Sequence, residues 1–203
     1  EIDDLLDRDI VEPNIELLKK NITSKRVLVT GAGGSIGSEL CRQIIQLNPE
    51  KIILVEISEY ALYTIHAELE QIKSSEIEII PLIGSVQDRR RMAEIISIWK
   101  PATIYHAAAY KHVPMLESED NLNAALENNF FVTFNLCKLA FENNVDKFTL
   151  VSTDKAVNPT NIMGASKRLA ELSLQAFQDE PNNKTKFSMV RFGNVLNSSG
   201  SVV

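Results

Sequence analysis

Two stretches of this chain are suited to reactive roles, one to holding an anion and one to moving protons. The first runs Thr30-Gly31-Ala32-Gly33-Gly34-Ser35-Ile36-Gly37, directly after the apolar run Arg26-Val27-Leu28-Val29 and directly before the helix-like Ser38-Glu39-Leu40-Cys41-Arg42-Gln43-Ile44-Ile45. Gly31 permits a tight turn, Gly34 lets a diphosphate approach the backbone, and Gly37 lets the helix pack closely on its strand. Amides at the helix start, at Ser35 and Ile36, then face an anion. The second stretch, Val151-Ser152-Thr153-Asp154-Lys155, ends another apolar run and sets a hydroxyl, a carboxylate and an ammonium side by side, with Asn161-Ile162-Met163-Gly164-Ala165-Ser166-Lys167 following. Such groups transfer protons when their surroundings displace their pKa values, and otherwise form an exposed loop pair worth little.

Groups this far apart in sequence meet only if strands end beside one another. Apolar runs alternate with amphipathic helical patterns punctuated by Gly, Pro or Asn, and six strands are expected near Arg26 to Thr30, Lys51 to Glu56, Glu76 to Ile83, Thr103 to Ala107, Lys147 to Ser152 and Lys186 to Phe192. Such βαβ alternation predicts an α/β fold, a doubly wound parallel sheet of Rossmann type, with its ligand crevice at the carboxyl ends of the strands. Residues 1–24 read as a lead-in arm, with the acidic Asp3-Asp4-Leu5-Leu6-Asp7-Arg8 and Pro13, and residues 25–203 as the dinucleotide-binding domain. The sequence stops at Asn197-Ser198-Ser199-Gly200-Ser201-Val202-Val203, a few residues after the sixth strand, with no partner loops left to enclose a substrate, so a fragment is expected.

Strand ends supply the remaining cofactor candidates. Glu56 falls nineteen residues beyond Gly37, where a carboxylate accepts hydrogen bonds from the adenosine ribose and repels a 2′-phosphate, which favours NAD over NADP. Ser85 and Val86, after the third strand, are placed to cover the adenine. Ala107, Ala108 and Ala109, after the fourth, let the backbone approach the cofactor, although three alanines also suit plain packing. His66 and His106 are assigned to packing or surface.

Composition narrows the classes. The chain has 203 residues, is 44% hydrophobic and carries a formal net charge of −6, which suits a globular domain and argues against a nucleic-acid partner. Cys41 and Cys137 sit in apolar helical patterns without a CxxC pair or clustered histidine, so buried free thiols and no metal site are expected, as in a reducing cytosol. No apolar run reaches membrane-spanning length, and the acidic start Glu1-Ile2-Asp3-Asp4 is unlike a signal peptide.

Taken with His106-Ala107-Ala108-Ala109-Tyr110-Lys111-His112-Val113-Pro114, Asn158-Pro159 and Arg191-Phe192-Gly193-Asn194-Val195, these blocks span nearly all of residues 25–203. The chain here resembles the extended short-chain dehydrogenases/reductases, and within them the CapD-like polysaccharide biosynthesis proteins, which are UDP-N-acetylglucosamine 4,6-dehydratases and related nucleotide-sugar enzymes of bacterial surface-glycan synthesis. The resemblance implies a truncated domain that would run on past Val203 into a smaller substrate-binding part, with oxidation at C4 of the sugar by NAD, loss of water across C5 and C6, and return of hydride to C6. It implies Lys155 as the base at C5, Asp154 as the acid at the C6 hydroxyl, Thr153 bonded to a sugar hydroxyl and Lys167 on the nicotinamide ribose. Burial would have to leave Lys155 neutral and Asp154 protonated. Lys111, His112 and Asn194 fall where similar enzymes meet the sugar, and Asn129 resembles the asparagine that orders the central helix beside the cofactor.

The sequence departs from the wider pattern at Met163, where most of the superfamily has a tyrosine that deprotonates the alcohol. The longer, membrane-anchored dehydratases resemble this chain in carrying methionine there. A homo-oligomer, cytoplasmic or attached to the inner face of a membrane, is the corresponding expectation. Ser85 replaces the aspartate usual at the adenine edge. An epimerase on the same scaffold, or a non-catalytic module that binds NAD, stands as the alternative. The epimerase needs the missing tyrosine and has no use for the Asp154-Lys155 pair.

Overall fold

Parallel strands buried on both faces need almost continuous apolar runs, and Val27, Leu28 and Val29 in β1 (Arg26–Thr30) are fully inaccessible, as are Ile52 to Val55 in β2 (Lys51–Glu56). Removing each such side chain from water contributes about 1.5–3 kcal/mol before chain entropy is counted. The computed structural model describes residues 13–195. The acidic stretch before Pro13 and the tail from Asn197 to Val203 lie outside the described residues.

Four more strands complete the sheet: β3 (Glu78–Ile83), β4 (Thr103–His106), β5 (Lys147–Thr153) and β6 (Lys186–Phe192). All pairs are parallel, in the order β3-β2-β1-β4-β5-β6. The order reverses between β1 and β4, and the doubly wound expectation holds. Three ends differ from the sequence expectation. The third strand begins at Glu78, because Ile77 N–H closes a turn on the Ser74 carbonyl (3.2 Å). The fourth strand stops at His106, one residue short of Ala107, whose N–H makes a last bond to the Thr30 carbonyl (3.1 Å) as the chain leaves the sheet. The fifth continues through Thr153, which pairs with Phe192 on β6.

Helices cover both faces. On one lie α2 (Ser35–Ile45) and α3 (Glu59–Ile72), whose Cys41, Ile44, Leu62, Ile65 and Leu69 pack on Val27, Val29, Ile52 and Leu54. The other carries α4 (Arg89–Trp99), α7 (Val132–Glu142) and α8 (Ile162–Gln178), around Phe148, Leu28 and Ile104. The arm is not featureless: α1 (Ile15–Ile22) has Asn14 as its N-cap and is tied to the sheet by Thr103, whose hydroxyl donates to the Asn21 carbonyl (2.8 Å). Short helices α5 (Val113–Leu116) and α6 (Leu122–Ala125) follow β4, and a π-helical turn at Leu126–Phe131 leads into α7. Both cysteines are buried, and burial pushes the Cys41 thiol up to about 12 and Cys137 also upward, which leaves them inert. No helix of the described residues is long and apolar enough to cross a membrane.

Candidate active site

A cavity of about 890 Å³ opens at the carboxyl ends of β1, β4, β5 and β6. Its floor is the glycine turn. Gly31 has φ +67°, and a Cβ there would stand 2.7 Å from the Ala108 nitrogen, so glycine is needed both for the turn and for the approach of the β4 loop. Gly31 donates to the Val55 carbonyl (2.8 Å), which pins the turn to β2. Helix α2 then starts with Gly34 as its N-cap, without a side-chain capping bond, and its first residues Ser35, Ile36 and Gly37 line the cavity. An uncapped helix start opening on a cavity fits a phosphate group.

The opposite wall comes from β5 and α8. Thr153, Lys155, Met163 and Lys167 line it, and Asn161 caps α8 by accepting from Gly164 N–H (2.7 Å). Lys167 is 4% exposed, its Nζ lacks a partner among the described residues, and burial lowers its pKa to about 8. An orphaned buried ammonium on a cavity wall fits a ligand that brings hydroxyl acceptors, as a nicotinamide ribose does. Met163 packs with Leu116 and Ala125 in a small apolar cluster beneath the β4 loop.

Asp154 departs from expectation. It begins a 3-10 turn at Asp154–Ala156, is exposed, and does not line the cavity. The Thr153 hydroxyl donates to it (3.0 Å) and Lys155 Nζ lies 3.4 Å away, and these contacts hold its carboxyl below the usual range. The burial that a protonated Asp154 requires is therefore not supplied by the described residues. Lys155 Nζ also donates to Asn194 Oδ1 (3.1 Å), which joins the β5 and β6 loops across the cavity mouth.

Of the other expected residues, Ala107, Ala109, Lys111, His112 and Asn194 line the cavity, whereas Ala108, Glu56, Ser85, Val86 and Asn129 do not. Glu56 stands at the end of β2 and accepts from the backbone N–H groups of Gly33 (3.0 Å), Ile57 (2.9 Å) and Ser58 (3.1 Å), so it braces the glycine turn. The Ser85 hydroxyl accepts from Gln87 N–H (3.2 Å), and Val86 packs on the core. Asn129, expected to order the central helix beside the cofactor, is 1% exposed, accepts from Tyr110 N–H (2.9 Å), and donates to the Tyr110 carbonyl (3.0 Å) and Ser166 Oγ (3.1 Å). Both amide atoms are engaged in clamping the β4 loop to α8. His106 is buried and bonded to Thr30 Oγ1 (2.7 Å); burial first, and Lys167 nearby, bring its pKa down to about 3, so it is neutral.

Sequence reasoning missed part of the wall. Tyr110, Val113 and Pro114 line it beside Lys111 and His112, and Asn121 and Ala124 carry no sequence signal, because only the fold of α5 and α6 brings them in. It also missed Glu171, four residues after Lys167, a spacing that puts both on one helix face.

A glycine turn at the switch point of a doubly wound parallel sheet defines a Rossmann dinucleotide-binding fold. Residues 27–203 match the family described as polysaccharide biosynthesis protein, and the chain belongs to that family. It is 50% identical to the capsular polysaccharide biosynthesis protein CapD of Staphylococcus aureus over 100% of this chain and 33% of that protein. It is 35% identical to a UDP-N-acetylglucosamine 4,6-dehydratase (inverting) of Campylobacter jejuni over 88% of this chain and 52% of the relative. The X-ray structure of Pen from Bacillus thuringiensis superposes with a TM-score of 0.79 at 31% identity, covering 89% of this chain and 53% of that one. The chain thus spans between a third and about half the length of these proteins.

Proposed function

We propose that this chain carries the cofactor-binding and catalytic loops of an NAD-dependent nucleotide-sugar 4,6-dehydratase acting on UDP-N-acetylglucosamine or a close analogue. One observation supports this above others: Thr153, Lys155 and Lys167 stand across one cavity from the glycine turn, with methionine at position 163 and Asp154 beside Lys155 at its edge. An epimerase would need a phenol at position 163 and would not need an acid beside Lys155.

In this reading the amides of residues 34–37 hold the pyrophosphate and Lys167 donates to the nicotinamide ribose. Glu56 meets the adenosine ribose through Oε2, which accepts one backbone bond and keeps a lone pair. NAD, when bound, supplies the hydride acceptor for C4 and the donor for C6. Thr153 orients the C4 hydroxyl by a hydrogen bond, and the hydroxyl proton passes to the Asp154 carboxylate, directly or through a water that Thr153 orders. Lys155, once it has left Asp154 and Asn194 and released its ammonium proton to solvent, takes as the free amine the proton from C5, which the adjacent ketone has acidified. Asp154 delivers a proton to the departing C6 hydroxyl and needs a drier setting than the open turn, which bound substrate can provide by excluding water.

The test is product analysis on the full-length protein with NAD and UDP-N-acetylglucosamine. A 4-keto-6-deoxy sugar nucleotide is expected, with turnover reduced about 100-fold or more by Asp154→Asn and by Lys155→Met, the scale of general acid–base assistance. A 4-epimer as sole product, or full turnover in Asp154→Asn, would defeat the proposal.

A further inference from the structure

Glu171, on the third turn of α8, is fully inaccessible and is the meeting point of three elements. Its Oε1 accepts from Ser152 Oγ on β5 (2.8 Å) and from Arg191 Nε on β6 (2.8 Å). Its Oε2 accepts from the other guanidinium arm of Arg191 (2.7 Å) and from Arg168 on α8 (3.0 Å). Burial alone would push the carboxyl up, but the bonds from Arg191, Ser152 and Arg168 outweigh it and bring the pKa down to about 2. Paired buried charges are a weak source of stability compared with apolar packing, so this arrangement invites a geometric explanation.

The two strand residues it grips are direct register partners, Ser152 opposite Arg191. Each stands next to the cavity. Thr153, Asp154 and Lys155 follow Ser152, while Phe192, Gly193 and Asn194 follow Arg191. Beyond the clamp only one ladder pair remains, Thr153 with Phe192, before both chains leave the sheet. Strand β6 is an edge strand among the described residues, with no ladder on its outer side, and such ends open most easily. A bidentate charge-assisted bond at that point replaces the missing neighbour.

We propose that Glu171 is a positioning residue: it locks the carboxyl ends of β5 and β6 together, so that Lys155 and Asn194 are held facing each other across the cavity mouth. The lock deepens the dehydratase reading by naming what aims its base, but the geometry of the lock does not depend on which sugar reacts.

Amide hydrogen exchange on the full-length protein, with steady-state kinetics alongside, tests it. Glu171→Gln is expected to speed exchange about tenfold at residues 153–156 and 192–195 while β1 to β3 keep their protection. In the same variant kcat falls about tenfold or more, with KM for the sugar nucleotide changed less than about threefold. Ser152→Ala is expected to loosen mainly 153–156 and Arg191→Met mainly 192–195, and these single-arm variants decide the matter where Glu171→Gln does not fold. Unchanged exchange at both segments, or uniform loosening that includes β1 to β3, would overturn the proposal. A parent protein that makes no keto-sugar refutes the dehydratase reading instead, and the exchange pattern still decides the lock.

Discussion

The main-chain carbonyl of Lys155 lies directly against Gly164: a Cβ on residue 164 would overlap its oxygen and stand 3.0 Å from its carbon. The first turn of α8 is therefore the seat on which the Asp154–Ala156 turn rests, and Asn161, which caps that same turn of helix, fixes the seat.

Gly164→Ala should thus act against its helix propensity, which by itself favours alanine by about 1 kcal/mol. Displacing the turn is expected to cost about 1–3 kcal/mol of stability and about 100-fold in turnover, because small misplacements of a reacting group are expensive. Thermal unfolding and kcat measure the two effects, and wild-type turnover in this variant would contradict the seating argument.

Gly31→Ala meets a positive φ and the Ala108 backbone at once. Neither can relax without moving the β4 loop, so a loss of about 2–4 kcal/mol is expected, with a larger fractional loss of NAD affinity. Urea unfolding and fluorescence titration with NAD check both, and an alanine variant that binds NAD normally would show that the turn is not the diphosphate site.

Lys167 joins a stability cost to a binding gain. Its pKa falls to about 8 from the ordinary 10.5, so the unfolded chain binds the extra proton between these values and stability should rise as pH increases from about 8 to 10.5. Below pH 8 the fold carries a buried, unpartnered charge. Lys167→Met should then raise the unfolding temperature of the cofactor-free protein at pH 7 and weaken NAD binding by tenfold or more, about 1.4 kcal/mol. Unfolding scans across this pH range, with and without NAD, read both, and a methionine variant that binds NAD as tightly as the parent would remove Lys167 from the ribose site.

Glu171 titrates with the opposite sense. Its folded pKa of about 2 lies below the ordinary 4.5, so the carboxylate contributes stability that is complete above about pH 4.5 and is lost as pH falls towards 2. The full contribution is on the order of 3 kcal/mol. Unfolding free energies of the parent and Glu171→Gln, measured from pH 5 to pH 2.5, should converge on acidification; a constant difference would mean that the carboxylate is not what the clamp loses.

Much of this was legible in the sequence for a physical reason: local periodicity reports burial on both faces of a strand, and glycine reports backbone geometry that other residues resist. The six strands, the crevice at their carboxyl ends and the turn from Gly31 to Gly37 follow from patterns within about ten residues of each point. The same holds for Thr153, Lys155 and Lys167, which sit where an apolar strand ends and a helix begins. Strand ends blurred where single hydrogen bonds decide them, as at Ile77 and Thr153.

Contacts between distant segments were not legible. Nothing near Asn129 in sequence announces that its amide will be taken up by Tyr110 and Ser166, and nothing near Glu56 announces the Gly33 amide. The exposure of Asp154 and the isolation of the Lys167 ammonium depend on which neighbours the folded chain brings within reach. Sequence alone determined the class of fold and the chemical types gathered at its rim. Tertiary structure alone decided which of those groups are charged, which are already engaged, and that Glu171 binds two strand ends nineteen and twenty residues from itself, because hydrogen bonding and desolvation act through space and leave no periodic trace in the chain.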